Sequence, residues 1–418
     1  MQKKLKVAII GGGPAGLAAA IELERRPLVE WKLYEKKPAI SELGTGLSIQ
    51  PNTWRMLELL GVADHIGADD FFRPDDQHYV QHRNSKTAEL VSVSFPPPDT
   101  LPHRRHCRAH RSKLQQALLK EVNQSGIRAG RKLIRISRLE SGRLSLFFEE
   151  GFTDEVDLLI GADGMRSIVR QFAFPDHAMA YTGSTAYRGL ARTEDALKID
   201  VLKKAVTFWH GTGSKWIYTC PLGGDDLEVT VRIKEPNIDG EDRVSWGRKA
   251  SIRPVQDAFQ GELSPPLQQL LEIVDRVQQF DLFAGPRLST IVQHGSVALI
   301  GDASHPLSGA FGAGAGFALE DAHVLGGALE WALENGKPVS AGLDIFDQVR
   351  SPHYEALYEI LDQYGAAEEE LASLQLDAQK EIEFRIGKVW NTEHDWMYYY
   401  QADTVLKEKL RRLTLESP

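Results

Sequence analysis

The 418-residue chain contains two cysteines, Cys107 and Cys220. Two thiols build neither a disulfide framework nor a metal cluster; they suit a reducing compartment, so both are expected to be packing residues and no metal site is expected. No run of apolar residues approaches the roughly 18 needed to cross a bilayer, so no membrane anchor is expected. Basic residues are in deficit, with 49 Lys and Arg against 58 Asp and Glu for a net charge of −9. That balance argues against a nucleic-acid partner, which calls for a basic stripe, and points to a small molecule. The first strand candidate, LKVAII, starts at Leu5 and leaves no room for a secretory leader ahead of it, so a cytoplasmic protein is expected. What remains, 42% hydrophobic and 26% charged residues, describes a soluble globular chain long enough for two or three domains at roughly 150 residues each.

The strongest local signal is KVAIIGGGPAGLAAAIELE. The strand formers Val7 to Ile10 run into Gly11-Gly12-Gly13-Pro14-Ala15-Gly16 and then into an alanine-rich helix. In this G-x-G-x-x-G pattern Gly11 allows the tight turn, Gly13 lets the backbone approach a pyrophosphate, and Gly16 lets the helix pack closely on the strand. The pattern predicts an acid about 20 residues on, and Glu35 in WKLYEKK supplies it as the expected ribose partner. A dinucleotide is implied; NAD and FAD share the ADP half these residues read.

Further along, Gly44 and Gly46 open a loop before Ile49 and Pro51, where Gly46 is expected to border the cofactor unless the loop is an ordinary turn, and AHRSKLQQALLKEV predicts a helix with Leu114, Ala117, Leu118 and Val122 on one face. Arg111, at its start, is either surface decoration or a phosphate contact, since a cation is disfavoured there without an anionic neighbour. Two more segments repeat the strand, turn and helix order: VDLLIGADGMRSIVRQ, with Asp163 in its turn, and VALIGDASHPLSGAFGAGAGFALEDAH, with Asp302 in its turn. Ligands of open α/β sheets sit outside the carboxyl ends of the strands, so Asp163 and Asp302 should border one ligand. A carboxylate is repelled by pyrophosphate, so Asp302 is expected to accept hydrogen bonds from sugar or ribityl hydroxyls. The small residues from Gly309 to Gly316 leave helix-start amides accessible to a ring that gains negative charge on reduction. The second glycine-rich segment therefore speaks for the flavin end of FAD.

The ordered motifs GGGPAG, GADG and GDASHP resemble those of the flavoprotein aromatic monooxygenases related to p-hydroxybenzoate hydroxylase, over about residues 5 to 350. CRAHRSKLQQAL, STAYRGL and GAGAGFALEDA make the chain similar to the salicylate hydroxylases and fungal phenol-hydroxylating members. The resemblance implies that Glu35 holds the adenosine ribose, Arg111 contacts the FAD linker, Asp163 shapes the dinucleotide cleft and Asp302 holds the ribityl-pyrophosphate region. It also implies that Gly314, Ala315 and Gly316 border the isoalloxazine, with NADH or NADPH as a transient cosubstrate and oxygen delivered through a flavin hydroperoxide. One departure is Gly309, where many relatives carry a proline; it keeps the carbonyl, loosens the loop and bears on the shape of the substrate pocket.

Between Tyr181 and Ile233 the pattern turns to period two, as in LEVTVRI, which predicts antiparallel sheet. Tyr187, Arg188, His210, Trp216 and Tyr218 are its chemical candidates. Arg188 can pair with a carboxylate or phenolate, and Tyr218 can orient or deprotonate a phenol; the plain alternatives are a surface ion pair and a half-buried strand residue. His210, before two nearby glycines, is expected in a turn, and His305 either near the flavin or bonded to backbone. Beyond about residue 350 acidic amphipathic helix is expected, with Trp396 to Tyr400 packed on the body.

The expected fold is α/β: a Rossmann-like FAD-binding domain with an inserted antiparallel-sheet substrate domain and a helical C-terminus. Its parts are 1–75, 104–178 and 283–350 for FAD, 76–103 and 179–282 for substrate, and 351–418 for the helical region. The expected activity is NAD(P)H-consuming, FAD-dependent hydroxylation of a phenol or aromatic acid, such as salicylate to catechol, by a monomer or homodimer. The alternatives are epoxidation or hydroxylation of a bulkier non-aromatic natural product, and non-catalytic FAD binding.

Overall fold

The structure is a computed structural model and describes residues 4–41, 45–237, 243–245, 247–307 and 309–416; Gly44 lies outside them. Its organising element is a six-stranded sheet ordered Val292–Gln293, Val297–Leu299, Leu158–Gly161, Leu5–Ile10, Val29–Glu35, Ile127–Ala129. All neighbours run parallel except the first pair. The central strands are almost wholly apolar because both faces are covered, as parallel sheets require. Leu5–Ile10, Leu158–Gly161 and Val297–Leu299 are adjacent, so the three turns that follow them emerge side by side at one edge.

Helix Pro14–Glu24 leaves the first turn and helix Gly314–Glu334 follows the third; the two pack together in one core with Arg111–Glu121. Small residues set their separation. A Cβ on Gly16 would lie 1.9 Å from the Gly11 carbonyl oxygen, and one on Gly301, at φ +59°, would meet Ala15 and Ala318 at 3.2 and 3.1 Å. Alanine and glycine at these positions are thus a packing requirement as much as a helix preference.

An eight-stranded sheet runs Arg248–Lys249, Asp275–Ala284, Ala180–Arg192, Asp226–Lys234, Trp216–Pro221, Thr207–His210, Val80–Asn84, Leu90–Ser94. One face is apolar: Tyr187, Val231, Ile217 and Trp209 lie in one row, beneath Val255, Leu267 and Leu270 of two short helices. Each such fully buried side chain contributes about 1.5–3 kcal/mol. The other face, bearing Glu228 and Thr230, turns to the small sheet Gly46–Ile49, Cys107–His110, Phe71–Phe72 that adjoins the FAD layer. His210 is not in a turn. It ends strand Thr207–His210 fully buried, its Nε2 2.9 Å from Nδ1 of His82, because parallel pairing with Val80–Asn84 continues through it.

Helix Val339–Ser373 runs on through residue 350, followed by Ala378–Val389 and Ala402–Glu416. The aromatic cluster packs inward in part: Met397 is buried, the Tyr398 hydroxyl donates to the Phe311 carbonyl at 3.0 Å, and Trp396 stays exposed. Cys107 and Cys220 are buried and free. No helix among the described residues is long and apolar enough to cross a membrane.

Gly16→Ala is expected to lose about 3 kcal/mol of stability by overpacking against backbone that cannot swing aside, read as a lower urea midpoint at unchanged slope. Gly13→Ala, where a Cβ meets nothing within 4 Å, should keep the native midpoint.

Candidate functional site: a dinucleotide edge facing an arginine-bearing sheet wall

At the strand edge, Gly11 adopts φ +109°, and a Cβ there would fall 2.4 Å from the Ala162 carbonyl oxygen, so the first and second turns touch through backbone alone. Gly13 caps helix Pro14–Glu24 in open space. The helix-start amides with room before them form an anion site, and the open glycine is the cradle a diphosphate needs. Glu35 ends its strand buried; its two carboxylate oxygens accept from the Gly12 amide (2.8 Å) and the Lys37 amide (2.9 Å). Each oxygen retains acceptor capacity for a hydroxyl.

Asp163 faces the helix that follows it. Ser167 Oγ and the amides of Ile168 (2.8 Å) and Val169 (3.3 Å) donate to its carboxylate. Burial raises its pKa against those hydrogen bonds. Asp302 sits exposed in the turn Gly301–Ala303, with Oδ1 3.9 Å from where a Gly314 Cβ would stand. Gly314 is likewise exposed at the helix start, beside half-buried Ala315. Gly316 has a different reason to be glycine: a Cβ would strike Thr53 Oγ1 at 2.3 Å. That close approach lets Asn52 donate to Glu320 at 2.7 Å. His305 is buried and stacks on Tyr354 with ring centroids 3.7 Å apart, and its backbone amide bonds to Gly301.

The residues that hold this edge include several that sequence reading missed. Asp321 accepts from the Gly301 amide (2.8 Å), Tyr354 hydroxyl (2.7 Å) and Arg350 Nε (2.7 Å), all buried. The next residue back, Glu320, is pushed up to about 7 by burial, which outweighs Arg350 and Asn52.

Arg111 opens helix Arg111–Glu121 with its amide on the Thr45 carbonyl, 3.1 Å. Beside it Glu228, 1% exposed, accepts from Thr45 Oγ1 (2.7 Å), the Gly46 amide (3.2 Å) and Thr230 Oγ1 (3.1 Å), and is ion-paired with Arg108. Gly46 is glycine because a Cβ would strike Leu222, Glu228 and Arg108 at 2.4–2.7 Å; its amide serves this pair. Arg188 belongs to the same charge cluster. Burial pulls its pKa down to about 10 although Glu228 opposes this, and its Nε is buried without a hydrogen-bond partner among the described residues. Tyr218 is buried under Arg108, whose guanidinium is 5.0 Å from the ring centroid. Burial raises the Tyr218 pKa well above 10 despite Arg108. In that neutral state its hydroxyl is a hydrogen-bond donor, as the orienting role requires.

The chain matches the FAD binding domain family over residues 4–360 and belongs to it; FAD is its cofactor, as the three motifs imply. Among curated relatives, salicylate hydroxylase of Pseudomonas putida is 28% identical over 446 aligned residues, covering 99% of this chain and 96% of the relative. The 6-methylsalicylate 1-monooxygenase of Aspergillus terreus is 28% identical, covering 94% and 89%. A solved salicylate hydroxylase substrate complex superposes with a TM-score of 0.80 at 22% identity, covering 98% of both chains, and shares the fold.

Burial alone would raise Glu228, but Arg108, Arg188 and the Thr45 hydroxyl hold its carboxyl down at about 2, against 4.5 for a free glutamate. A depressed acid stabilises the fold above its unfolded pKa, and that contribution is lost as pH falls through the folded one. Acid denaturation should therefore steepen from about pH 4.5 to about pH 2. Glu228→Gln should flatten that window and cost about 3 kcal/mol at pH 7 by stranding buried guanidiniums, measured by urea melts across pH.

Proposed function

We propose that the chain is a FAD-dependent, NAD(P)H-consuming monooxygenase that hydroxylates a phenolic aromatic acid, with salicylate to catechol as the leading case. The observation that carries this is the arginine and aromatic wall set against the FAD edge, in a chain similar along nearly its whole length to salicylate hydroxylases. Bound FAD supplies two-electron exchange with NAD(P)H and activation of O2.

The chain's own residues bind, orient and exclude water. Gly13 and the Pro14–Glu24 helix start receive the pyrophosphate, Glu35 the adenosine ribose and Arg111 the linker. Asp302 would accept from ribityl hydroxyls, and the amides from Gly314 to Gly316 would border the ring, since a helix N-terminus favours the negative charge of reduction. Asp163 shapes the cleft indirectly by anchoring the turn that supports Gly11. Arg188 faces the phenolic oxygen, stabilising it as phenolate and so raising the electron density of the ring that accepts oxygen. Tyr218 orients the same oxygen. Buried, free Cys107 and Cys220 support a reducing, cytoplasmic setting, and a monomer or homodimer serves this chemistry equally.

The test is NADH and NADPH oxidation by FAD-loaded protein with and without salicylate and simple phenols, with product identification. Stimulation with catechol and CO2 from salicylate is expected; an enzyme whose oxidation rate no aromatic alters would overturn the reading. Asp302→Ala should weaken FAD binding roughly 30-fold, the loss of charge-assisted hydrogen bonds worth about 2 kcal/mol, measured by flavin fluorescence on the refolded apoprotein. Undiminished affinity would remove Asp302 from the site.

A further inference from the structure

The sheet wall that faces the FAD layer carries a second arginine, and strand register sets its place. Arg188 stands opposite Thr230, and Ala186 opposite Arg232, on neighbouring antiparallel strands. Directly opposed residues share a face, so these four point to one side, with the two arginines diagonal neighbours roughly 7–8 Å apart. The rows continue onto the next strand, where Trp216 is opposite Arg232 and Tyr218 opposite Thr230. The short side chains of Ala186 and Thr230 thus form a floor between two guanidiniums, bordered by two aromatic rings.

The arginines differ in what neutralises them. Arg188 is compensated by Glu228, which it shares with Arg108. For Arg232 the only hydrogen bond described is a long one to Ser184 Oγ, 3.5 Å. The carboxylate whose charge reaches it is Glu368 on helix Val339–Ser373. That carboxylate is already engaged by Arg385, at 2.7 and 3.3 Å, and by Ser214 Oγ at 2.5 Å. A guanidinium has five N–H donors in a planar fork that matches a carboxylate. Arg232 is neither fully buried nor exposed, and Trp216 beside it is the same, so this end of the wall retains some access for a ligand. Burial lowers its pKa against the pull of Glu368, so the cation is desolvated with no ion pair shown to it among the described residues, and an anionic ligand would relieve that cost.

We propose that Arg232 is a specificity-determining residue that receives the carboxylate of the substrate, while Arg188 faces its phenolic oxygen. The ligand class is a planar aromatic monocarboxylate lying over Ala186 and Thr230 with its ring edge toward Trp216 and Tyr218. This rests on the aromatic-hydroxylase reading and adds to it the group that separates aromatic acids from neutral phenols.

Equilibrium titration of the FAD-loaded enzyme with salicylate and with neutral salicylamide, followed by flavin absorbance, tests the assignment without requiring turnover. Arg232→Gln should weaken salicylate on the order of 30-fold, as for a lost charged hydrogen-bond pair, and leave salicylamide within about twofold. Arg232→Lys, which keeps the charge without the fork, should recover part of the salicylate affinity. The loss in turnover should fall on KM more than kcat. Unchanged salicylate binding in Arg232→Gln, or equal weakening of both ligands, would overturn the assignment and leave the hydroxylase reading standing. Failure of that reading has a separate signature, which overturns both: the native enzyme binds neither ligand and no aromatic stimulates NAD(P)H oxidation.

Discussion

The contact on which the rest depends is backbone against backbone: the Gly16 Cα seated on the Gly11 carbonyl, with Gly11 itself pressed on Ala162. No side chain fits in either gap. Because the first helix lies that close to its strand, its amides reach the strand edge, and because the second turn abuts the first, the edge is continuous. Gly301 repeats the arrangement from the third strand, wedged between Ala15 and Ala318. Two helix starts are thereby brought to one ligand-sized edge, where their aligned peptide dipoles add. The buried Arg350–Asp321 pair secures the third turn from behind through the Gly301 amide. Removing one partner of such a pair leaves a stranded charge, so the pair resists local rearrangement more than it adds stability.

The second constraint is electrostatic. The seam between the FAD layer and the eight-stranded sheet is polar, with Arg108 and Arg188 gathered about Glu228. An apolar seam would bind the layers as well, but it would not leave an excess of positive charge between the FAD layer and the sheet. In a low-dielectric interior that excess acts at far greater strength than in water. The cluster thus joins the two layers and sets the charge of the space between them.

Much of this was legible along the chain. The three turns could be read because a glycine pattern between a strand and a helix has one dominant structural meaning, and the parallel sheet then places them together. Gly46 and Gly316 show the limit: at both, another element presses on the glycine, Glu228 and Arg108 in one case and Thr53 in the other, a requirement that no local pattern announces. His210 was read as a turn residue from the glycines after it, yet tertiary pairing with Val80–Asn84 continues the strand. Glu228, Thr230 and Arg232 were read only as the polar half of an alternating strand. Nothing in LEVTVRI distinguishes a polar face in water from one packed against a second layer, since period two reports only that the faces differ.

The sequence by itself therefore determined the class of cofactor and the order of the elements that hold it, because both rest on local backbone chemistry: where φ must be positive, where an amide is bare, where a strand must end. Only the tertiary structure decided which charges meet. Glu228 and Arg108 are separated by 119 intervening residues yet form one ion pair, and Arg188 and Arg232 share a wall through strand register. Ion pairing and register depend on distance in space, which the spacing of residues along a chain does not encode.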